Sequence, residues 1–139
     1  MSAKKKVLIL CTGNSARSQM AEGLLRNLAG ERFEVASAGT SPSSVRPEAI
    51  AVMGEIGIDI SSHRSKPVDE FLGVDLDCII TVCDNAKETC PAFPGNAERF
   101  HWSFDDPAAA LGPDDVRLDS FRRIRDEIQM RINEFAAIW

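Results

Sequence analysis

Val7-Leu8-Ile9-Leu10 is an apolar run without a polar position. Such a run suits a strand covered on both faces, as in a parallel sheet. The turn-rich stretch 11–15 follows, and 16–29 then reads as an amphipathic helix. Met20, Leu24 and Leu28 share one face of that helix, with Ala21 and Leu25 beside them. Gly30 ends it. Residues 33–38 read as a second strand closed by Gly39, 41–47 as loop, and 48–56 as a short helix that stops at Gly57. Loop 61–66 leads to a short helix at 68–72. Residues 77–83 form another apolar strand, and 84–89 a turn or two of helix before Pro91 and Pro94. A fourth strand at 98–104 and a loop at 105–116 precede a long helix over 117–139, with Phe121, Ile124, Ile128, Ile132 and Phe135 facing inward.

Strands that alternate with helices imply an α/β domain with a doubly wound sheet and right-handed crossovers. Four parallel strands in a flavodoxin-like order are expected, with residues 1–139 as a single domain. Ligands in such sheets bind beyond the carboxyl ends of the strands. Cys11, Cys83 and the pair Asp105-Asp106 all fall at such ends.

Composition narrows the partners. At 44% hydrophobic and 27% charged residues, the chain is ordinary for a globular protein. Its net charge is −5, and its only basic run is Lys4-Lys5-Lys6, so no nucleic acid and no anionic membrane surface are expected as partners. The chain starts with too short an apolar stretch for a secretory signal and contains none long enough for a membrane span, which points to the cytoplasm. In that reducing compartment the four cysteines are buried, metal-binding or catalytic rather than structural disulfides.

The segment Cys11-Thr12-Gly13-Asn14-Ser15-Ala16-Arg17-Ser18 carries the main chemical signal. A loop that wraps into a helix N-terminus points several backbone N–H groups at one spot. Gly13 and Asn14 are residue types that tolerate positive φ, as a tight nest requires. Arg17 has a planar fork able to grip two oxygens of a tetrahedral anion. The same donors lower a cysteine pKa, so Cys11 is expected as a thiolate, with Ser18 adding a hydroxyl hydrogen bond and the Asn14 amide holding the loop's shape. A buried structural cysteine would explain neither the arginine at this spacing nor the strand-loop-helix context. The Walker phosphate loop is excluded, because no Gly-Lys-Ser/Thr occurs here.

This Cys-x5-Arg-Ser loop after the first strand resembles that of the low-molecular-weight tyrosine phosphatases. Residues 11–22, Cys-Thr-Gly-Asn-Ser-Ala-Arg-Ser-Gln-Met-Ala-Glu, resemble more closely the loop of the related thioredoxin-coupled arsenate reductases. The resemblance continues through Ser37-Ala38-Gly39-Thr40 to Asp105-Asp106-Pro107. It implies an arsenic-detoxifying enzyme in which Cys11 attacks arsenate, held by residues 12–18. Cys83 then attacks Cys11 to release arsenite, Cys90 attacks Cys83, and thioredoxin reduces the Cys83–Cys90 disulfide. It further implies that Asp106, just before the proline, protonates the departing oxygen, with Asp105 as reserve. No bound cofactor and a monomer are expected. Three cysteines in one chain favour thioredoxin over a glutaredoxin- or mycothiol-type reductant, since the third thiol replaces an external one.

Spacing adds an expectation about Cys83 and Cys90. If 83–90 were wholly helical, their Cα atoms would lie about 10 Å apart, whereas a disulfide tolerates at most about 7 Å. The segment must therefore unwind when the two join. Buried packing is the reading for Cys78. A metal site from Cys78, Cys83, Cys90 and His101 lacks the close pairs of zinc sites, and no metal is expected. His63 and His101 are not taken as bases, and the acidic residues of 114–127 read as a solvated helix face.

Two departures weaken a phosphotyrosine phosphatase, the alternative enzyme. Ala108 stands where those enzymes carry an aromatic, and Ala16 where they place a second loop cysteine. Weak phosphatase side activity is still expected, because the loop can hold phosphate. A non-catalytic redox or oxyanion sensor is the remaining alternative, and the presence of Asp106 argues against it.

Overall fold

The computed structural model describes residues 4–83 and 97–139. Its elements are β1 (Lys5–Cys11), α1 (Arg17–Ala29), β2 (Phe33–Gly39), α2 (Pro47–Gly54), a 3-10 turn at Val68–Phe71, β3 (Cys78–Thr81), β4 (Glu98–His101), a second 3-10 turn at Pro107–Ala109, and α3 (Asp114–Ile138). The four strands form one sheet in the order β2-β1-β3-β4, with every pair parallel. The four-stranded parallel α/β architecture expected from the sequence is thus observed.

The central strand explains the apolar run. β1 is flanked by β2 and β3, and Val7 to Leu10 are all buried. Ile79 and Ile80 of β3 are buried beside them. Each such side chain contributes about 1.5–3 kcal/mol by leaving water. α3 packs on α1 and α2 through Phe121, Ile124, Ile128, Ile132 and Phe135, all buried as their spacing predicts. Phe135 also touches the rings of Phe33, Phe100, Trp102 and Trp139. Among the described residues, no helix is long and apolar enough to cross a membrane.

Several boundaries differ from the expected ones for identifiable reasons. α3 begins at Asp114 rather than 117, because Pro113 precedes it and Asp114 and Asp115 suit the positive end of its dipole. The acidic side chains along its outer face are exposed, as expected: Asp114, Asp119, Asp126 and Glu127 all meet solvent. β4 stops at His101, three residues early. Leu28 lies at the angle of the buried face of α1, between Ala21 and Leu24, yet it is half exposed. The first turns of α1 are covered almost all round, whereas Arg26, Asn27 and Leu28 emerge into solvent. The expectation for Leu28 had the right angle and the wrong height on the helix. Gly30 ends α1 in a right-handed rather than left-handed conformation. The segment 84–89, its helical turn and Cys90 lie outside the described residues.

Candidate active site

The loop between β1 and α1 is inverted so that its carbonyls face outward. The Cys11, Thr12, Gly13 and Ser15 carbonyls accept from the amides of Thr40, Ser41, Ser43 and Arg46, at 3.3, 2.9, 3.0 and 2.8 Å. The Asn14 carbonyl accepts from Gln19 Nε2 and Ser65 Oγ, and the Ala16 carbonyl from the Met20 amide. With the five successive carbonyls of Cys11 to Ser15 bonded to groups around the loop, planar peptides turn their N–H groups inward. The Thr12 amide reaches the Cys11 sulfur. No side chain caps α1, whose N-cap is Ala16, so its first amides remain available to an anion.

Asn14 sets this shape. Its φ is 48°, the left-handed region that Asn tolerates better than most residues. It is fully buried, and its amide is fully used. Nδ2 donates to Ser18 Oγ and Ser37 Oγ at 2.8 and 2.9 Å, while Oδ1 accepts from Gln19 Nε2 and the Lys66 amide at 3.0 and 2.9 Å. The expectation that Asn14 holds the loop's shape agrees with these bonds. Gly13 was expected to share the positive φ and does not. The glycine that the loop does require is Gly39, opposite Cys11 on β2. A Cβ there would lie 2.5 Å from the Thr12 carbonyl oxygen and 3.0 Å from the Asn14 nitrogen.

Behind Asn14 lies a second polar layer. Ser37 donates to the buried carboxylate of Glu22, which also faces Arg26 at 2.7 Å and Lys66 at 3.8 Å. His63 joins through Nδ1 to Gln19 Oε1 at 2.9 Å. Burial pushes the His63 and Lys66 pKa values down, although Glu22 pulls both up.

The inward side of the loop opens into a cavity of about 350 Å³ lined by Cys11, Thr12, Gly13, Ser15, Ala16 and Arg17 below, and by Ser43, Ser44, Arg46, Asp106 and Ala108 above. The Arg17 side chain is mostly buried; Nη1 donates to the Phe104 carbonyl at 3.1 Å and Nη2 lies 3.9 Å from Asp106 Oδ2. Asp106 therefore faces the loop, and its Oδ1 accepts from the Ala108 amide in a tight turn. Asp105 instead points to Arg123 on the exposed surface, 3.4 Å away. Ser18 sits behind the loop, accepting from Asn14 and retaining its own proton for an acceptor.

Cys83 follows β3, whose register pairs Thr81 with Leu10, and this brings it to the loop. Its sulfur lies 3.3 Å from Thr12 Oγ1, in the loop that begins with Cys11. Cys11, Cys78 and Cys83 are thiols. Cys78 is buried in the sheet, which pushes its pKa up to about 12. The Cys11 thiol, expected low, is instead pushed up. The hydrogen bond with Cys83 is the largest cause and burial the next; Arg17 and the Thr12 amide pull the other way without prevailing. The spacing of Cys11 and Cys83 gives no sign that Cys83 acts on the Cys11 thiol.

In the sequence Ser43, Ser44 and Arg46 belong to the loop 41–47, and nothing local connects them to a cysteine some thirty residues earlier. The signal that could have found Arg46 is its place just before Pro47, at the start of a helix in an otherwise small and polar loop.

The chain matches the family model described as low molecular weight phosphotyrosine protein phosphatase over residues 6–138. It is 50% identical over 133 residues to a protein of Halalkalibacterium halodurans named arsenate reductase, covering 96% of each chain. A solved arsenate reductase in the oxidized state is similar at 34% identity with a TM-score of 0.82, over 96% of this chain and 97% of that one. A thioredoxin-dependent arsenate reductase of Corynebacterium glutamicum is similar at 30% identity and a TM-score of 0.76, over 98% of this chain and 62% of that one.

Proposed function

Because this chain belongs to the low molecular weight phosphotyrosine protein phosphatase family, we propose that within it the chain is an arsenate reductase whose three cysteines pass two electrons to arsenate. The observation that carries this reading is a second thiol at the anion loop. The Cys83 sulfur lies 3.3 Å from Thr12 Oγ1, next to Cys11 in the loop, where a simple phosphatase has no use for a second thiol.

Arsenate sits in the cradle of inward amides with Arg17 on its oxygens. Against Cys83 and burial, Arg17 and the Thr12 amide pull the Cys11 thiol toward the thiolate. The Cys11 thiolate attacks arsenic. An S–As bond forms, an As–O bond breaks, and the oxygen leaves as water with a proton from Asp106. Ser18 steadies the thiolate with its free proton. The Cys83 thiolate then attacks the Cys11 sulfur. The S–As bond breaks with its electron pair left on arsenic, so trivalent arsenite departs and a Cys11–Cys83 disulfide remains. Cys90 attacks Cys83 and frees Cys11. The dithiol of thioredoxin reduces the resulting Cys83–Cys90 disulfide and becomes a disulfide itself. The similarity to a thioredoxin-dependent arsenate reductase supports that choice of reductant. Every electron comes from a thiol, so the reading calls for no bound cofactor. The alternative of a tyrosine phosphatase is disfavoured by Ala108, because no described residue lining the cavity is aromatic.

The test is arsenate-dependent NADPH oxidation with thioredoxin and thioredoxin reductase, comparing the unaltered protein with Cys11→Ser, Cys83→Ser and Cys90→Ser. Turnover that falls to background in all three is the expected result. Cleavage of a phosphate ester that needs only Cys11, with no NADPH consumed, would make this a phosphatase.

A further inference from the structure

We propose that Arg46 is a second anion-binding guanidinium, which selects a bare tetrahedral oxyanion by taking the oxygens that face away from the loop. The proposal rests on the reading of the loop as an oxyanion cradle and adds a residue that determines which oxyanions enter.

Arg46 lines the same cavity as Cys11 and Arg17. Among the described residues it is the one arginine whose guanidinium makes no hydrogen bond, ion pair or ring contact. The others are occupied: Arg17 on Phe104, Arg26 on Val35 and Glu22, Arg32 on Ala136, Arg64 on Glu70, Arg117 on Asp114, Arg122 and Arg125 on Glu55, Arg123 on Glu127, Arg131 on Glu134, and Arg99 also in an interaction. An arginine that is partly buried and unpaired keeps its charge at a cost unless something anionic meets it.

Its backbone is not loose. The Arg46 amide donates to the Ser15 carbonyl at 2.8 Å, and its own carbonyl accepts from the Ala49 and Ile50 amides in the first turn of α2. Arg46 is thus bonded to the cradle on one side and to a helix on the other. Ser43, likewise bonded to the loop through Gly13, and Ser44 line the cavity beside it.

The geometry of a tetrahedral anion assigns the role. Oxygens that face the loop meet its amides and Arg17. The oxygen opposite Cys11 faces away from the loop, into the cavity that Asp106 and Arg46 also line. On a bare anion that outer oxygen shares the negative charge, and a guanidinium there is matched by charge and hydrogen bond. On a phosphate ester the same position carries the organic group, and Arg46 gains little. The chain's net charge of −5 repels anions, so a rim cation also offsets the approach.

The experiment measures binding of inorganic phosphate to the reduced protein by calorimetry, for the unaltered chain, Arg46→Ala, Arg46→Gln and Arg46→Lys. Kd is expected to rise about tenfold or more in the Ala and Gln variants, and Lys should restore most of the affinity. In turnover the loss should appear in KM for arsenate, with kcat within about threefold. KM for p-nitrophenyl phosphate should rise several-fold less than KM for arsenate. Phosphate binding by Arg46→Ala equal to that of the unaltered chain overturns this proposal alone. Absence of phosphate binding by the unaltered chain overturns the cradle reading itself, and this proposal with it.

Discussion

On the floor of the cavity, Asn14 is fully buried with all four hydrogen-bonding positions of its amide used, and each carbonyl from Cys11 to Ala16 has a partner. On the rim, the Asp106 carboxylate is half exposed, 3.9 Å from its nearest cation, and the Arg46 guanidinium bonds to no described residue. The floor spends its polar groups on itself, so its amides are held in place before any ligand arrives. The rim leaves Asp106 Oδ2 only a long contact to Arg17 and Arg46 no described partner, so both can turn to the ligand. Stability and function should therefore separate between the two regions: floor substitutions cost both, and rim substitutions cost binding or chemistry without stability.

The largest effect should come from Asn14→Ala. It strands the Lys66 amide, which donates to Asn14 Oδ1, takes the donor away from the Ser18 and Ser37 hydroxyls, and leaves the positive φ to a residue less tolerant of it. Each buried group left unsatisfied costs about 1–3 kcal/mol, so a stability loss of about 3 kcal/mol or more is expected from urea unfolding. Turnover should collapse with it. A variant that is inactive yet as stable as the unaltered chain would show that the floor is not the self-bonded scaffold described.

Asp106→Asn should follow, with the reverse pattern. The amide oxygen of Asn can still accept from the Ala108 amide, so the turn survives. A general acid contributes typically about 10²–10⁴-fold to rate, and a drop in kcat of that order is expected in the thioredoxin-coupled assay. Stability should remain within about 0.5 kcal/mol, as for an exposed site. A large stability loss would erase the contrast between rim and floor.

The same contrast governs what the sequence disclosed. The strand, the loop and the start of α1 are contiguous, so Val7 to Ser18 displayed both the apolar run and the cysteine-to-arginine spacing in one window. Asp106 was reachable because its position before Pro107 belongs to a recognisable motif. The rest depends on chain segments that meet only in space. Arg46 and Ser43 reach the cavity through backbone bonds to Ser15 and Gly13, which side-chain patterning cannot reveal. Gly39 is needed because of Thr12 and Asn14 on the neighbouring loop, not because of any turn of its own. The upward push on Cys11 comes first from Cys83, 72 residues later, and then from burial, against the arginine and the loop amide that the local sequence advertised. Leu28 followed the helical period correctly but lay beyond the end of the cover.

The smallest effect should arise from the layer behind the floor. His63 is held by Gln19, which in turn holds Asn14, so its charge state bears on the scaffold rather than on the reacting atoms. Burial, opposed in part by Glu22, lowers its pKa below the ordinary value of 6.5. The folded state then binds fewer protons than the unfolded state once pH falls below 6.5. The sign follows: this group's contribution is full above 6.5 and is lost as pH falls through the lowered folded value, so stability should rise with pH across that window. Chemical denaturation at several pH values checks it against His63→Asn, which keeps a group near the Nδ1 position but cannot titrate. The difference between the two proteins should shrink on acidification, because only the unaltered chain must force a proton onto a buried ring. Parallel pH profiles would mean that His63 meets water freely, and the supporting layer would then be no more closed than the rim.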